Sequence, residues 1–530
     1  MTTYQSILNR PASPGGAGDM SRSRRRGGKD GGHHGQASMI SSIVNLLNTI
    51  VGAGTLAMPS VLSHMGIMLG VLLIVWSGLT SAFGLYLQTR CARYLDRGSS
   101  SFFALSQLTY PNAAIMFDLA IAVKCFGVGV SYMIIIGDLM PGVVLGLYAR
   151  AADTPYLVDR NFWITAFMLL VIPLAFLKRL DSLKYTSIIA LVSIGYLIVL
   201  VIYHFGVDPH APASEIRVIQ WGGPVETLST LPVVVFAYTC HQNMFSIINE
   251  LKDGSPSRLI GVIGSSIGSA ASIYILVAIT GYITFGNAIV GNIISMYPTG
   301  VASTIGKAAI VVLVLFSIPL QVHPCRASLD SVLKWRPNRN GSSNTGRPGS
   351  PLLTPAAAAA ASSHGDHPNA PMSDMRFALL TTCILTLSYA TALSVTSLAR
   401  VLAFVGSTGS TSISFILPGL FYYKISDPDS IHHQRLLKGD DDIIDDDIDN
   451  DDDDETSDAE DTAALAQSTH SIRSAASDAS RRLWRRKWRW DLEHVDHNLL
   501  RKLALSLAIY GFVVMSVCLI MNIFFVTSGH

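Results

Sequence analysis

The sequence predicts an all-α polytopic membrane protein of about eleven transmembrane helices: two five-span halves arranged as an inverted repeat, plus one extra C-terminal helix. Three observations predict it. The chain is 49% hydrophobic and only 14% charged, with a mean hydropathy of +0.40, which places most of it in lipid rather than around an aqueous core. Its apolar residues gather into eleven runs of membrane-crossing character, a crossing helix taking about 20 residues. Two of those runs, the first and the sixth, are interrupted at their centres by residues that suit no continuous helix.

Span 1 covers about residues 39–62 and span 2 about 67–89. A very long stretch, 116–148, makes span 3 and holds Asp118, Lys124 and Asp138. Spans 4 (162–177) and 5 (185–204) complete the first five. Span 6 (227–249), span 7 (259–285), span 8 (302–323), span 9 (375–397) and span 10 (401–423) make the second five, and span 11 (499–526) follows. The resulting organisation is a disordered basic tail (1–38), spans 1 to 8 (39–330), a disordered Pro/Ser/Ala-rich insert (331–373), spans 9 and 10 (374–424), an acidic and then basic, aromatic insert (425–497), and span 11 with a short tail (498–530).

Lys and Arg are retained on the cytoplasmic side, so loop charge gives the orientation. The N-tail, Arg90/Arg93/Arg97, Lys178/Arg179/Lys184, Lys252/Arg258, Arg326 to Arg347 and the last insert all fall on one side. That alternation predicts a cytoplasmic N-terminus and cytoplasmic inserts, so the NGS acceptor at Asn340 stays unmodified. The six cysteines lie in or beside apolar spans, which predicts no disulfide framework. No secretory signal peptide is visible, because the first apolar run is too long and follows a polar tail.

Span 1 carries Asn48 to Pro59, NTIVGAGTLAMP, with Gly52 and Gly54 at its middle. Each glycine weakens a helix by about 1 kcal/mol relative to alanine. They either open the backbone toward a cavity, the only place where unwound backbone is tolerated at membrane depth, or let another helix pack closely. Span 6 carries Tyr238 to Asn243, YTCHQN, six successive residues that go all round a helix. A polar stripe facing a pore would recur at i, i+3 and i+4, so the run fits a helix that breaks. Two broken helices opening two five-span halves suggest a small polar guest held at the midplane between them.

The motifs NTIVGAGTLAMP, KCFGVGVSYMIIIGDLMP (124–141), LKYTSIIALVS (183–193), FAYTCHQNMFSIINEL (236–251) and FSIPLQVHPCRASL (316–329), in this order, resemble the amino acid/auxin permease family, and most of all its fungal vacuolar amino acid transporters. The resemblance implies a LeuT-like fold of ten core helices plus one, and secondary active transport of amino acids by symport or antiport across a vacuolar membrane. It implies that the substrate's amino and carboxyl groups are held by Thr49, Ile50, Val51, Gly52, Ala53 and Gly54 of the first helix and by Phe236, Ala237, Tyr238 and Thr239 of the sixth. In the sodium-coupled relatives an Asn and a Thr serve the ion, and these positions resemble Asn48 and Ser317 here.

His241 is the natural proton handle, because imidazole changes charge between about pH 5 and 8, unless a neighbouring hydroxyl or carbonyl merely satisfies it. The coupling ion that the resemblance to vacuolar carriers implies is H+, with Na+ as the alternative. Lys124, Asp138 and Glu250 are gating or structural candidates. Lys124 needs a partner or a position near the cytoplasmic end, Asp138 beside Pro141 is expected to end the membrane part of span 3, and Glu250 to pair with Lys252 or Arg326. His323 and Pro324 are expected to end span 8. Arg481 to Trp490, RRLWRRKWRW, favours an anionic lipid surface over nucleic acid, and the acidic run Asp440 to Glu455 is a solvated linker or its mask. The chain carries neither an HExxH zinc motif nor a GxxxxGK[ST] phosphate loop, and is read as a carrier rather than an enzyme or a cofactor protein. An amino acid sensor signalling through its tail and inserts is the alternative.

Overall fold

The computed structural model describes residues 37–95, 100–111, 114–177, 186–212, 215–252, 254–334, 372–430, 433–434 and 497–527. Most of the predicted tail and of both predicted inserts, Lys178/Arg179/Lys184, Asn340 and Arg481 to Trp490 lie outside the described residues. The described helices are α1 (Met39–Ile50), α2 (Ala53–Met65), α3 (Ile67–Ala92), α4 (Phe102–Thr109), α5 (Ala114–Leu147), α6 (Pro155–Val158), α7 (Arg160–Ala175), α8 (Thr186–Val207), α9 (Pro224–Ala237), α10 (His241–Glu250), α11 (Pro256–Phe285), α12 (Ile293–Met296), α13 (Val301–Lys334), α14 (Asp374–Ser394), α15 (Leu398–Val405), α16 (Leu417–Ile425) and α17 (His497–Thr527).

These helices supply the predicted spans in order. Nine crossings, among them α9 with α10 and α15 through α16, are each long and apolar enough for a bilayer, and the bent pair α1/α2 makes a tenth. The shorter helix α7 stands where span 4 was expected. Their outer faces keep large apolar groups exposed, such as Leu72, Leu79, Leu169 and Val199, as lipid-facing helices do.

Helix ends explain the breaks. α1 starts at Ser38, whose hydroxyl accepts the Ser41 N–H, and stops at Ile50. After Val51 and Gly52 the chain re-enters a helix bent 53° from the first. Pro59 lies inside α2, four residues after the Thr55 carbonyl whose donor it cannot supply. α9 ends at Ala237, and Tyr238, Thr239 and Cys240 separate it from α10. Span 6 is thus interrupted inside the run YTCHQN.

One boundary differs from the sequence expectation. α5 runs through Asp138 and Pro141 to Leu147, close to the end expected for span 3. His323 and Pro324 do not end span 8, because α13 runs through Pro319 and Pro324 to Lys334. A helix can carry such prolines where protein or a cavity re-satisfies the freed carbonyls, and Pro324 and Leu320, four residues before it, both face a cavity. A further feature was not foreseen: between α15 and α16 the chain winds as two π-helical segments, Gly406–Ser410 and Ser412–Ile416. Such windings are rare and cluster at functional sites.

α5 and α13, both 34 residues long, pack along one another, and α2, α3 and α8 pack on α11. At the end where the described chain begins, Ala37 bridges to Leu251: the Ala37 N–H donates to the Glu250 carbonyl (2.9 Å) and the Lys252 N–H to the Ala37 carbonyl (3.1 Å). The entrance of the first broken span is thereby tied to the exit of the second. All six cysteines are unpaired.

Candidate functional site

Four helix ends meet at one level. The carbonyl ends of α1 and α9 and the amide ends of α2 and α10 border a cavity of about 520 Å³, within the range that holds a small ligand. Gly52 and Cys240, the residues that cap α2 and α10, place no side-chain hydrogen bond on the first N–H groups. Those ends carry partial positive charge and suit a carboxylate, while the carbonyl ends suit an ammonium.

The two glycines divide the readings left open by the sequence. A methyl at Gly54 would lie 2.6 Å from the Ala237 Cβ and 2.9 Å from its Cα, so Gly54 lets α2 and α9 touch. A methyl at Gly52 would meet nothing within 4 Å, so Gly52 sits in open space at the break itself. One glycine serves packing and the other the opening.

The cavity brings together Asn48, Thr49, Ile50, Gly52, Ala53, Gly54, Phe236, Ala237, Thr239, Ser317 and Lys124. Val51, Tyr238, His241, Asp138 and Glu250 do not line it. Val51 and Tyr238 are buried, and the Tyr238 hydroxyl has no partner among the described residues. His241 is fully buried behind the break: its Nε2–H donates to the Ser81 carbonyl (3.1 Å) and its Nδ1 meets no partner among the described residues. Asp138 accepts from Arg160 Nε at 3.2 Å, and Arg160 Nη2 donates to the Ala392 and Val395 carbonyls, joining α5, α7 and the end of α14. Glu250 forms no ion pair among the described residues, and its expected partner Arg326 instead donates to Thr381 Oγ1 and the Ala175 carbonyl and lies over the Phe377 ring.

Lys124 is 5% exposed, well away from the end of its helix, packed against Gly409 of the π-helical segment and facing the cavity. It is the only Lys, Arg, Asp or Glu in the lining, and no carboxylate pairs with it among the described residues. Three lining hydroxyls already donate within the protein. Thr49 donates to the Asn45 carbonyl and accepts from Asn243 Nδ2 (2.8 Å), Thr239 donates to the Val235 carbonyl, and Ser317 donates to the Leu313 carbonyl. For a guest the lining offers backbone, Lys124, carboxamides, the hydroxyls of Tyr132 and Ser328 and the lone pairs of Ser317.

Four of those carboxamides, Asn45, Gln242, Asn243 and Gln321, were missed as site residues. Gln242, whose Oε1 is buried without a partner, opens α10; Asn45 lies three and four residues before Asn48 and Thr49; Gln321 lies four after Ser317. Helical spacing from the named residues was the available signal. Also unnoticed was GSSIG at Gly264 to Gly268, which has the letters of a hydrolase nucleophile elbow. It lies inside α11 rather than on a strand-to-helix turn, and Ser266 Oγ donates to the Ile43 carbonyl.

The lining lies at the breaks and on the side of Met39 and Glu250; from α2 and α9 it takes only the residues next to the breaks. The opposite side is filled by buried contacts, among them Ile293 of α12 against Gly281. The cavity therefore extends to one side of the protein.

The family model described as transmembrane amino acid transporter protein matches residues 35–440. Vacuolar amino acid transporter 5 of Schizosaccharomyces pombe is 44% identical over 395 residues, covering 74% of this chain and 86% of the relative. Vacuolar amino acid transporter 6 of Saccharomyces cerevisiae is 45% identical over 412 residues, covering 73% and 90%. Among solved structures, MhsT in complex with L-phenylalanine aligns with a TM-score of 0.52 at 14% identity, covering 91% of this chain and all of that one. The inward-facing conformation of Mhp1 aligns with a TM-score of 0.50 at 11% identity, covering 74% and 77%. At such identities the likeness concerns the fold, which is LeuT-like. The chain belongs to the transmembrane amino acid transporter protein family.

Proposed function

We propose that this protein is a secondary active transporter that moves amino acids across the vacuolar membrane by alternating access, with its N-terminus cytoplasmic. The observation that carries the reading is the one-sided cavity between two amide ends and two carbonyl ends of broken helices, a set of partners complementary to a zwitterion. The substrate carboxylate is assigned to the uncapped start of α2 at Gly52 to Gly54, and the ammonium to the Gln242 carboxamide oxygen and the end of α1. Its side chain extends toward Phe236, Tyr132 and Lys124. The vacuolar placement follows the names of the fungal relatives.

In the transport cycle one bundle rocks against the other, closing the side of the Ala37 bridge and opening the side of the Asp138–Arg160 clasp. The proposed coupling ion is H+, received by His241, whose Nδ1 is buried beside the break without a partner among the described residues. A second reading, Na+ held by Asn48 and Ser317, draws on their shared place in the lining and on Ser317 Oγ, which donates to the Leu313 carbonyl and keeps its lone pairs for an ion.

Proteoliposomes holding the full chain test this. Uptake of labelled amino acids, with the twenty common ones as competitors, is expected under a pH gradient, to be lost with a protonophore and to persist when choline replaces Na+. No uptake of any amino acid under either gradient would overturn the carrier reading, and uptake indifferent to the protonophore would overturn the proton.

A further inference from the structure

A tyrosine that takes no part in the cavity lining binds both breaks at once. Tyr274 of α11 is fully buried, and its hydroxyl lies 2.6 Å from the carbonyl of Ile50 and 2.8 Å from that of Ala237. Ile50 is the last residue of α1 and Ala237 the last of α9, so each carbonyl belongs to the group that a helix end leaves without an intrahelical donor. The neighbouring carbonyls are served separately: that of Phe236 accepts the Thr239 N–H and that of Tyr238 the Ser81 hydroxyl. The Tyr274 ring is held by an edge-to-face contact with Tyr238, 5.2 Å between centroids. One phenolic proton is shared between two acceptors, at distances normal for O–H···O bonds.

In broken-helix carriers the freed carbonyls gather a cation between the half-helices. Here a neutral O–H stands between them. We propose that Tyr274 is a positioning residue that holds the two helix breaks in register, so that this pair of carbonyls needs no bound cation for the substrate pocket to form. The proposal rests on the carrier reading only for its effect on transport. The clamp itself is a statement about the two breaks.

Hydrogen exchange of the full chain in lipid nanodiscs tests the clamp without transport. In the wild type, the hydrogen-bonded amides at the breaks, those of Val51, Tyr238 and Thr239, exchange as slowly as the adjoining helical turns. In Tyr274→Phe they exchange about tenfold faster or more, the scale of losing a hydrogen bond to a buried acceptor, while peptides of α13 keep their rate. Tyr196→Phe is the control. It removes a single hydroxyl bond to the Ala302 carbonyl, far from the breaks, and leaves their exchange unchanged.

In proteoliposomes fed a labelled mixture of the twenty amino acids, Tyr274→Phe raises the half-saturating concentration about tenfold while the maximal rate stays within about twofold. A merely structural role would lower the maximal rate through lost protein and accelerate exchange everywhere. Unprotected break amides in the wild type, uniform acceleration in Tyr274→Phe, or local acceleration with an unchanged half-saturating concentration would each overturn the proposal. Protected breaks in a wild type that moves no amino acid would leave the clamp standing and overturn the carrier reading instead.

Discussion

Alanine at Gly54 and at Gly52 separates the two reasons for a glycine in this motif. At Gly54 the new methyl would stand 2.6 Å from the Ala237 Cβ, about 0.8 Å short of the 3.4 Å at which ordinary contact begins, and 2.9 Å from backbone that cannot turn aside. α2 and α9 must therefore separate, and overpacking of this kind costs about 1–3 kcal/mol. At about 1.4 kcal/mol per factor of ten, the half-saturating amino acid concentration rises between about five- and a hundredfold. At Gly52 nothing lies within 4 Å, so no steric cost arises. The remaining effect is alanine's preference for helix over glycine, about 1 kcal/mol, which limits the change to about fivefold. The assay is concentration-dependent uptake in proteoliposomes, with the thermal midpoint of each purified variant measured beside it. Gly54→Ala behaving as the wild type, or Gly52→Ala proving the more damaging of the two, would refute the division of roles.

Lys124→Met removes a buried charge that no carboxylate balances among the described residues, so the thermal midpoint is expected to hold or rise while uptake falls about tenfold or more. A lower midpoint with normal uptake would place Lys124 in the scaffold instead. Arg160→Gln strips the Asp138 carboxylate and two carbonyls of their donor, a loss of about 1–3 kcal/mol read as a drop in thermal midpoint. Adding Asp138→Asn should cost less in that background than alone, and full additivity would mean the two groups act independently. Beyond the membrane spans, burial first, and then His497 and Arg501, hold the His433 imidazole below its usual 6.5 against the opposing pull of Asp427. A depressed pKa means stability present above about pH 6.5 and lost as pH falls below it, so the midpoint declines between about pH 7 and 5. His433→Gln should flatten that decline, and an unchanged slope would count against it.

Much of the fold was legible because lipid leaves few options. Long apolar runs must be helices, and the two runs carrying GAG and YTCHQN broke where those residues stand. Helix ends were less legible: Pro324 looks like a stop, yet α13 carries it on to Lys334, since a proline's freed carbonyl can be served by a neighbouring helix or a cavity. The π-helical winding at Gly406 to Ile416 had a signal in its run of small and hydroxyl residues, but tertiary packing against α5 and α9 decides it. Within the site, the backbone positions of span 1 could be anticipated and the carboxamides Asn45, Gln242 and Gln321 inferred from helical spacing. Tyr274 could not, because nothing in α11's own sequence says that its hydroxyl reaches carbonyls of two other helices. His241 shows the same limit: its residue type suggested a proton handle or a satisfied histidine, and nothing in span 6 says that its partner is the Ser81 carbonyl.

The most direct measurement is a cryo-electron microscopy map of the full chain in lipid, prepared with the amino acid that competes best in the uptake assay. Density for its carboxylate against the N–H groups of Gly52 to Gly54, with its ammonium toward Gln242, is the predicted result. An empty cavity with the amino acid bound elsewhere, under conditions that saturate uptake, would contradict the account.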